Sequence, residues 1–265
     1  MAVLTELLYL LNLEGEQIMI KAVIFDLDGT LVKTERLKAI SYGLAANELD
    51  LERDHQDQAL LAFAEVVGRP RHEVAQYILQ ILNIEEAAAR RCKEFMVCEA
   101  WQALIQIRLQ IYERMIKDAD LLRKNIWPYN LELLKWARSE GYLTGLATAS
   151  SCLAARHVLK ALDLEASFDY IATNDDVEHN KPDPEIYQLV ASGLGVLPAE
   201  CIVIEDSPAG VTAAREAGMA YLAVSTEFTR DRLHADKYID EKWIVDEPSR
   251  LKQQFLQLIA EIAAT

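Results

Sequence analysis

Apolar residues along this chain follow two rhythms. Short, predominantly apolar runs occur at residues 22–25, 143–147, 170–172, 201–204 and 221–224, with a weaker one at 238–239. Such runs predict strands buried on both faces, as in a parallel sheet. Between the later runs, residues 131–139, 153–162, 184–192 and 209–217 carry apolar positions at helical spacing. From Trp127-Pro128 onward strand and helix therefore alternate, which predicts an α/β fold: a doubly wound parallel sheet with right-handed crossovers.

Between the first run and Trp127 only the helical rhythm appears. Leu37, Ile40, Leu44 and Ala45 form one stripe, Val74, Tyr77, Ile78, Ile81 and Leu82 a second, and Leu104, Ile107, Ile111, Met115 and Ile116 a third. Gly68-Arg69-Pro70 breaks the series, because proline cannot sit inside a helix. The expected organisation is an α/β core, residues 19–33 and 127–265, interrupted by an all-helical cap, residues 34–126. Met19-Ile20-Lys21 directly precedes the first strand, so residues 1–18 are expected to lie outside the core. They read as an appended helix or as sequence upstream of a true start at Met19. Their apolar stretch, Leu7-Leu8-Tyr9-Leu10-Leu11, follows no basic residue, shows no cleavage pattern and is too short to cross a bilayer.

At 265 residues and 51% hydrophobic content the chain can bury a substantial core. Lys and Arg total 27 against 42 Asp and Glu, a net charge of −15, which argues against nucleic acid or an anionic membrane as partner. An anionic substrate would need local attraction, aided by a metal. Cys92, Cys98, Cys152 and Cys201 form no Cys-x-x-Cys pair and no cluster with histidine. They read as buried, small apolar residues of a reduced, cytoplasmic protein.

Ligands of open parallel sheets bind beyond the carboxyl ends of the strands. Beyond the first run stand Asp26 and Asp28, with Gly29 ending it in a sharp turn. A strand-like stretch throws residues two apart to one side, and two carboxylates so close repel unless a cation lies between them. Taken alone, the pair is a hard-metal site, a proton-sharing dyad or a solvated loop feature. Three further runs end in Thr148-Ala149-Ser150-Ser151, in Asn180-Lys181-Pro182-Asp183-Pro184 and in Glu205-Asp206-Ser207-Pro208-Ala209-Gly210. One rim thus collects carboxylates, a hydroxyl and a lysine, the donor set of Mg²⁺-assisted phosphoryl transfer. Asp26 and Asp206 can hold the metal, Thr148 and Lys181 the phosphate oxygens, and Gly29 lets backbone N–H groups approach closely.

These four segments resemble the four motifs of the haloacid dehalogenase superfamily. The run from Ile204 to Val211, continued by Ala213-Ala214 and Ala217-Gly218-Met219, is similar to its β-phosphoglucomutase-like branch, as is Asn180-Lys181-Pro182-Asp183-Pro184. The resemblance implies a small phosphorylated metabolite as substrate, Asp26 as nucleophile and Asp28 as acid/base. It implies Gly29, Thr148, Ala149 and Lys181 at the phosphate, and Mg²⁺ on Asp26, the Asp28 carbonyl and Asp206, aided by Glu205. Members that cleave carbon–halogen bonds lack the second aspartate, so Asp28 argues against that reaction.

Phosphatase and phosphosugar mutase share all these core residues, and a catalytically silent phosphate-binding homologue is a third, weaker reading because no motif residue is lost. Gly68-Arg69-Pro70-Arg71-His72-Glu73 resembles the cap loop that carries an arginine in the sugar-phosphate mutases, and Arg108 falls where a cap lysine stands. Both would touch substrate; the bland alternative is that both are surface residues. Lys38 replaces the histidine those mutases carry in the first cap helix, and Pro128-Tyr129-Asn130 departs from their Pro-Gly-Val turn. His72, His157, His179 and His234 show no partner spacing and read as surface or capping residues. The phosphatase reading, on a phosphosugar or similar compound, comes first.

Overall fold

The computed structural model describes residues 18–67 and 69–264. The expectation for residues 1–17 and the position of Gly68 in its loop lie outside the described residues. Six parallel strands form one sheet in the order β3-β2-β1-β4-β5-β6. They are β1 (Ala22–Phe25), β2 (Leu143–Ala147), β3 (Tyr170–Ala172), β4 (Cys201–Glu205), β5 (Ala220–Val224) and β6 (Ile244–Val245). The chain adds β2 and β3 on one side of β1, then crosses back to place β4 on the other, so strand order reverses between β1 and β4.

Every β1 side chain is buried, and the four alternate between two apolar layers. Val23 and Phe25 pack with Leu146, Ile202, Ile204, Leu222 and Phe255; Ala22 and Ile24 pack with Ala147, Val203, Val190 and Ala213. The first layer is closed by α7 (Pro128–Ser139) and α12 (Leu251–Ile262), the second by α9 (Glu185–Leu194) and α10 (Pro208–Glu216). Coverage of both faces is why these strands read as unbroken apolar runs.

Between β1 and β2 the chain is helical: α1 (Thr34–Leu49), α2 (Gln56–Val66), α3 (Arg71–Leu82), α4 (Glu85–Arg90), α5 (Ala100–Lys117) and α6 (Ala119–Lys124), followed by α7. Pro70 directly precedes α3, where the missing N–H costs nothing. These helices reach the core on two sides. Helices α5 and α6 pack on α8 (Cys152–Ala161). On the other side Phe63 meets Phe228 edge-on at 5.9 Å, Arg36 pairs with Glu227 at 3.1 Å, and Arg232 donates to the Val67 carbonyl at 2.9 Å.

Two expectations are corrected. The weak run at 238–239 is not a strand: Tyr238 is exposed and its N–H bonds the Asp236 side chain in a turn, while Ile244–Val245 pair with Ala223 and Val224. Only Cys201 among the cysteines is buried; Cys98 is exposed, Cys92 and Cys152 are half-buried, and all four are free thiols. His179 and His234 are exposed, as expected of surface residues, and pair there with Glu185 at 3.2 Å and Asp246 at 3.0 Å. No helix among the described residues is long and apolar enough to cross a membrane.

Candidate active site

Beyond the carboxyl ends of β1 and β4, at the point of reversal, Asp26, Glu205 and Asp206 bring carboxylate oxygens within 4.8 Å of one another. All three residues are buried. Lys181, delivered by the segment before α9, is the cation among them. Its Nζ donates to Asp26 Oδ1 (2.7 Å), Glu205 Oε1 (2.7 Å) and the Ala147 carbonyl (3.0 Å), which uses all three ammonium donors.

The three carboxylates differ in how their charge is met. Burial favours the neutral form of each. For Glu205 it is outweighed by Lys181 and by donors from Ser207, which hold the carboxyl below the usual range. Glu205 accepts five hydrogen bonds, from Lys181, the Tyr187 hydroxyl, the Asp206 and Ser207 N–H groups and Ser207 Oγ. It therefore enters the cluster with its lone pairs already engaged. Asp26 is pushed up to about 7 by burial, against the pull of Lys181 and with repulsion from Glu205 and Asp28. Asp206 is raised well above the ordinary carboxylate value by burial, Glu205 and Asp26. Three buried carboxylates thus share one lysine, and a hard dication on Asp26 and Asp206 would relieve the excess of negative charge. An all-oxygen donor set of this kind suits Mg²⁺.

Asp28 has partners of its own. Strand β1 stops at Phe25 and the chain turns, with Gly29 at φ +89° and its N–H on the Val32 carbonyl at 2.7 Å. The Asp28 carboxylate is not one of the three that gather within 4.8 Å, yet it is near enough for its charge to raise Asp26. Ser150 Oγ donates to Asp28 Oδ2 at 2.5 Å and Thr148 Oγ1 at 3.3 Å, while Lys38 Nζ lies 3.8 Å from Oδ1. Burial raises the Asp28 carboxyl, but Lys38 and the Ser150 bond prevail and hold it below the usual value. Lys38 also pairs with Glu35 at 2.7 Å. Thus the lysine at the histidine position of the mutases reaches the second aspartate from the helical segment.

The other expected residues scatter more widely. Thr148 is buried, Ala149 beside it is exposed, and Gly29 abuts Asp206 so closely that a Cβ would collide with its carboxylate. Arg108 is buried in the helical segment, over the rings of Tyr112 (4.6 Å) and Tyr42 (5.2 Å). It enters no ion pair among the described residues. Arg71 is exposed at the start of α3. Asn130, of the departing turn, is buried and donates to the Thr30 carbonyl at 2.5 Å, tying α7 to the loop beyond Asp28.

Ser150, Lys38 and Tyr187 are contacts that spacing alone did not select. Ser150 stood in the run after Thr148, and Tyr187 stands in an apolar helical stripe where a hydroxyl demands a partner. Gly210 is another supporting position, since a Cβ there would run into the Glu205 carboxylate. Gly210→Ala is expected to destabilise the protein by about 1–3 kcal/mol and to slow turnover. Denaturant unfolding identical to wild type would show that the carboxylate has room to move.

A family model for haloacid dehalogenase-like hydrolases matches residues 20–218. A phosphorylated carbohydrates phosphatase of Thermotoga maritima is 33% identical, over 75% of this chain and 82% of that protein. The beta-phosphoglucomutase of Bacillus subtilis is 29% identical, over 77% of this chain and 83% of that one. The crystal structure of a putative beta-phosphoglucomutase from Thermotoga maritima aligns with a TM-score of 0.66 at 26% identity, covering 90% of this chain and 100% of the other.

Proposed function

Because the chain belongs to the haloacid dehalogenase-like hydrolases, we propose that it is a Mg²⁺-dependent phosphohydrolase acting on a small phosphorylated metabolite of the phosphosugar class. The observation that carries this reading is the division between the two aspartates. Asp26 lies among carboxylates and Lys181, while Asp28 is held by Ser150, Thr148 and Lys38. One is placed to attack and the other to move protons.

In this mechanism the substrate phosphoryl group sits against Lys181 and Thr148. An Asp26 carboxylate oxygen attacks phosphorus, and the bond to the leaving oxygen breaks as that oxygen takes a proton from Asp28, which must first be protonated against the pull of Lys38 and Ser150. Asp28 then removes a proton from water; its oxygen attacks the aspartyl-phosphate and releases phosphate, restoring Asp26. Lys181 offsets charge on the transferring group. Mg²⁺, held by Asp26, Asp206 and the Asp28 carbonyl, would supply further charge neutralisation. Glu205 would act by fixing Lys181 and the Asp206–Ser207 backbone.

Residues 34–126 are proposed as the cap over this site, on a core of 19–33 and 127–265, with Arg71 and Arg108 as its contributions to substrate binding. The contacts of Phe63, Arg36 and Val67 with the core support a closed arrangement, and closure would exclude bulk water. Four free thiols fit a reducing, cytoplasmic setting. Buried Arg108 and the similarity to the Bacillus subtilis mutase favour the phosphosugar mutase as second reading; Lys38 beside Asp28 favours the phosphatase.

Incubation with β-glucose 1-phosphate and a panel of phosphorylated metabolites, in Mg²⁺, separates them. Release of free phosphate is the expected result. Glucose 6-phosphate formed without free phosphate would transfer the assignment to the mutase.

A further inference from the structure

The Lys181–Glu205 ion pair is sealed from solvent, with side-chain exposures of 7% and 2%. One polar group against it belongs to none of the four motif segments: the phenol of Tyr187. Tyr187 is fully buried on α9, six residues beyond Lys181, in a layer with Ile186, Val190 and Ala191. Phenylalanine would fill that layer without the need to satisfy a hydroxyl. The Tyr187 hydroxyl donates to Glu205 Oε1 at 3.1 Å, the same oxygen that receives Lys181 Nζ at 2.7 Å. Its ring centroid lies 4.9 Å from that Nζ. One side chain therefore touches both halves of the pair.

We infer that Tyr187 is a positioning residue that acts through Glu205 on Lys181, an inference that rests on the phosphohydrolase reading above. Glu205 Oε2 is fixed by three donors, all from the Asp206–Ser207 segment. Oε1 has only two, Lys181 and Tyr187. By sharing Oε1, the phenol lessens the carboxylate's hold on the ammonium and keeps Lys181 divided between Glu205 and Asp26. Without the hydroxyl, all the charge on Oε1 falls to Lys181, and the ammonium is drawn away from Asp26, where the phosphoryl group must be met. Tyr187 has no hydrogen bond to Asp26 or Asp206 among the described residues, so it touches neither proposed metal ligand directly, and a weaker hold of Lys181 on Asp26 would not weaken that carboxylate toward a cation.

The test is Tyr187→Phe in the full chain, which keeps the ring and its packing. Inorganic phosphate affinity in the presence of Mg²⁺ and kcat should each fall about tenfold, the scale of one hydrogen bond to a charged group. The rise in Tm on adding Mg²⁺ should not be reduced. In a Glu205→Gln background, Tyr187→Phe should change either quantity by less than about twofold, because the two act as a unit. A purely structural tyrosine would lower Tm, and its effect would persist undiminished in Glu205→Gln. That persistence, loss of the Mg²⁺ response, or wild-type values in Tyr187→Phe would each overturn the inference. Absence of turnover in the wild type would instead defeat the phosphohydrolase reading, while the phosphate affinities would still decide the part of Tyr187.

Discussion

Asp26→Asn is expected to reduce turnover by more than about a thousandfold, as loss of a nucleophile does, and at the same time to stabilise the metal-free protein. The two effects have one origin. Asp26 is buried beside Glu205, Asp206 and Asp28, and its carboxyl is raised from 3.8 to about 7 even though Lys181 attracts it. A carboxylate raised in the folded state favours folding while it is protonated. Its ionisation then penalises the fold progressively as pH rises from the unfolded value of 3.8, and fully above about 7. Asparagine cannot ionise, keeps the size of the side chain, and leaves Lys181 on Glu205 and the Ala147 carbonyl. Thermal unfolding in chelator should therefore show the variant ahead of wild type by more at pH 8 than at pH 5. Equal gaps at both pH values would mean that the burial of Asp26 is relieved by other means, and substantial residual turnover would refute the nucleophile assignment.

The second large effect concerns the metal. Chelation should abolish phosphate release, and Mg²⁺ should raise the Tm of wild type even without substrate. Saturation at about a hundred times the dissociation constant contributes roughly 2.7 kcal/mol, and for a chain of this size each kcal/mol moves Tm by about 2–4 °C. A shift of roughly 5–10 °C is expected. Asp206→Asn should lose most of it, because burial and the neighbours Glu205 and Asp26 oppose the charge on Asp206, which a dication would offset. Glu205→Gln should retain more of it, since Glu205 spends its lone pairs on Lys181, Tyr187 and the Asp206–Ser207 segment. A Tm indifferent to Mg²⁺, or equally responsive in Asp206→Asn, would remove the metal from this cluster.

Much of this architecture was legible because a doubly covered parallel sheet leaves a plain imprint. The runs at 22–25, 143–147 and 170–172 coincide with strands and that at 201–204 with most of β4; Asp26, Thr148 and Asp206 directly follow strand ends, Glu205 closes β4, and Lys181 stands in the segment after β3. Strand β6 escaped because two residues, Ile244 and Val245, carry no period, and the similar pair at 238–239 drew the expectation instead. That Asp26 and Asp28 take different partners was invisible for another reason. Spacing gives a side only while the strand continues, and β1 ends one residue before Asp26. Lys38 and Ser150 were present as a substitution and as part of a run, but their meeting on Asp28 joins positions more than a hundred residues apart in sequence. No local pattern encodes such a contact. Nor does one reveal that Cys98 lies exposed, whereas Cys201, in the apolar run of β4, is buried as expected.

The central claim is that Asp26, and not Asp28, carries the phosphoryl group. Rapid quenching during turnover in Mg²⁺, reduction of the acyl phosphate with borohydride and peptide mass spectrometry test it most directly. The account predicts that position 26 is recovered as homoserine in wild type and not in Asp26→Asn, with position 28 unmodified. Modification at Asp28, or steady phosphate release with no trapped phosphoprotein, would contradict it.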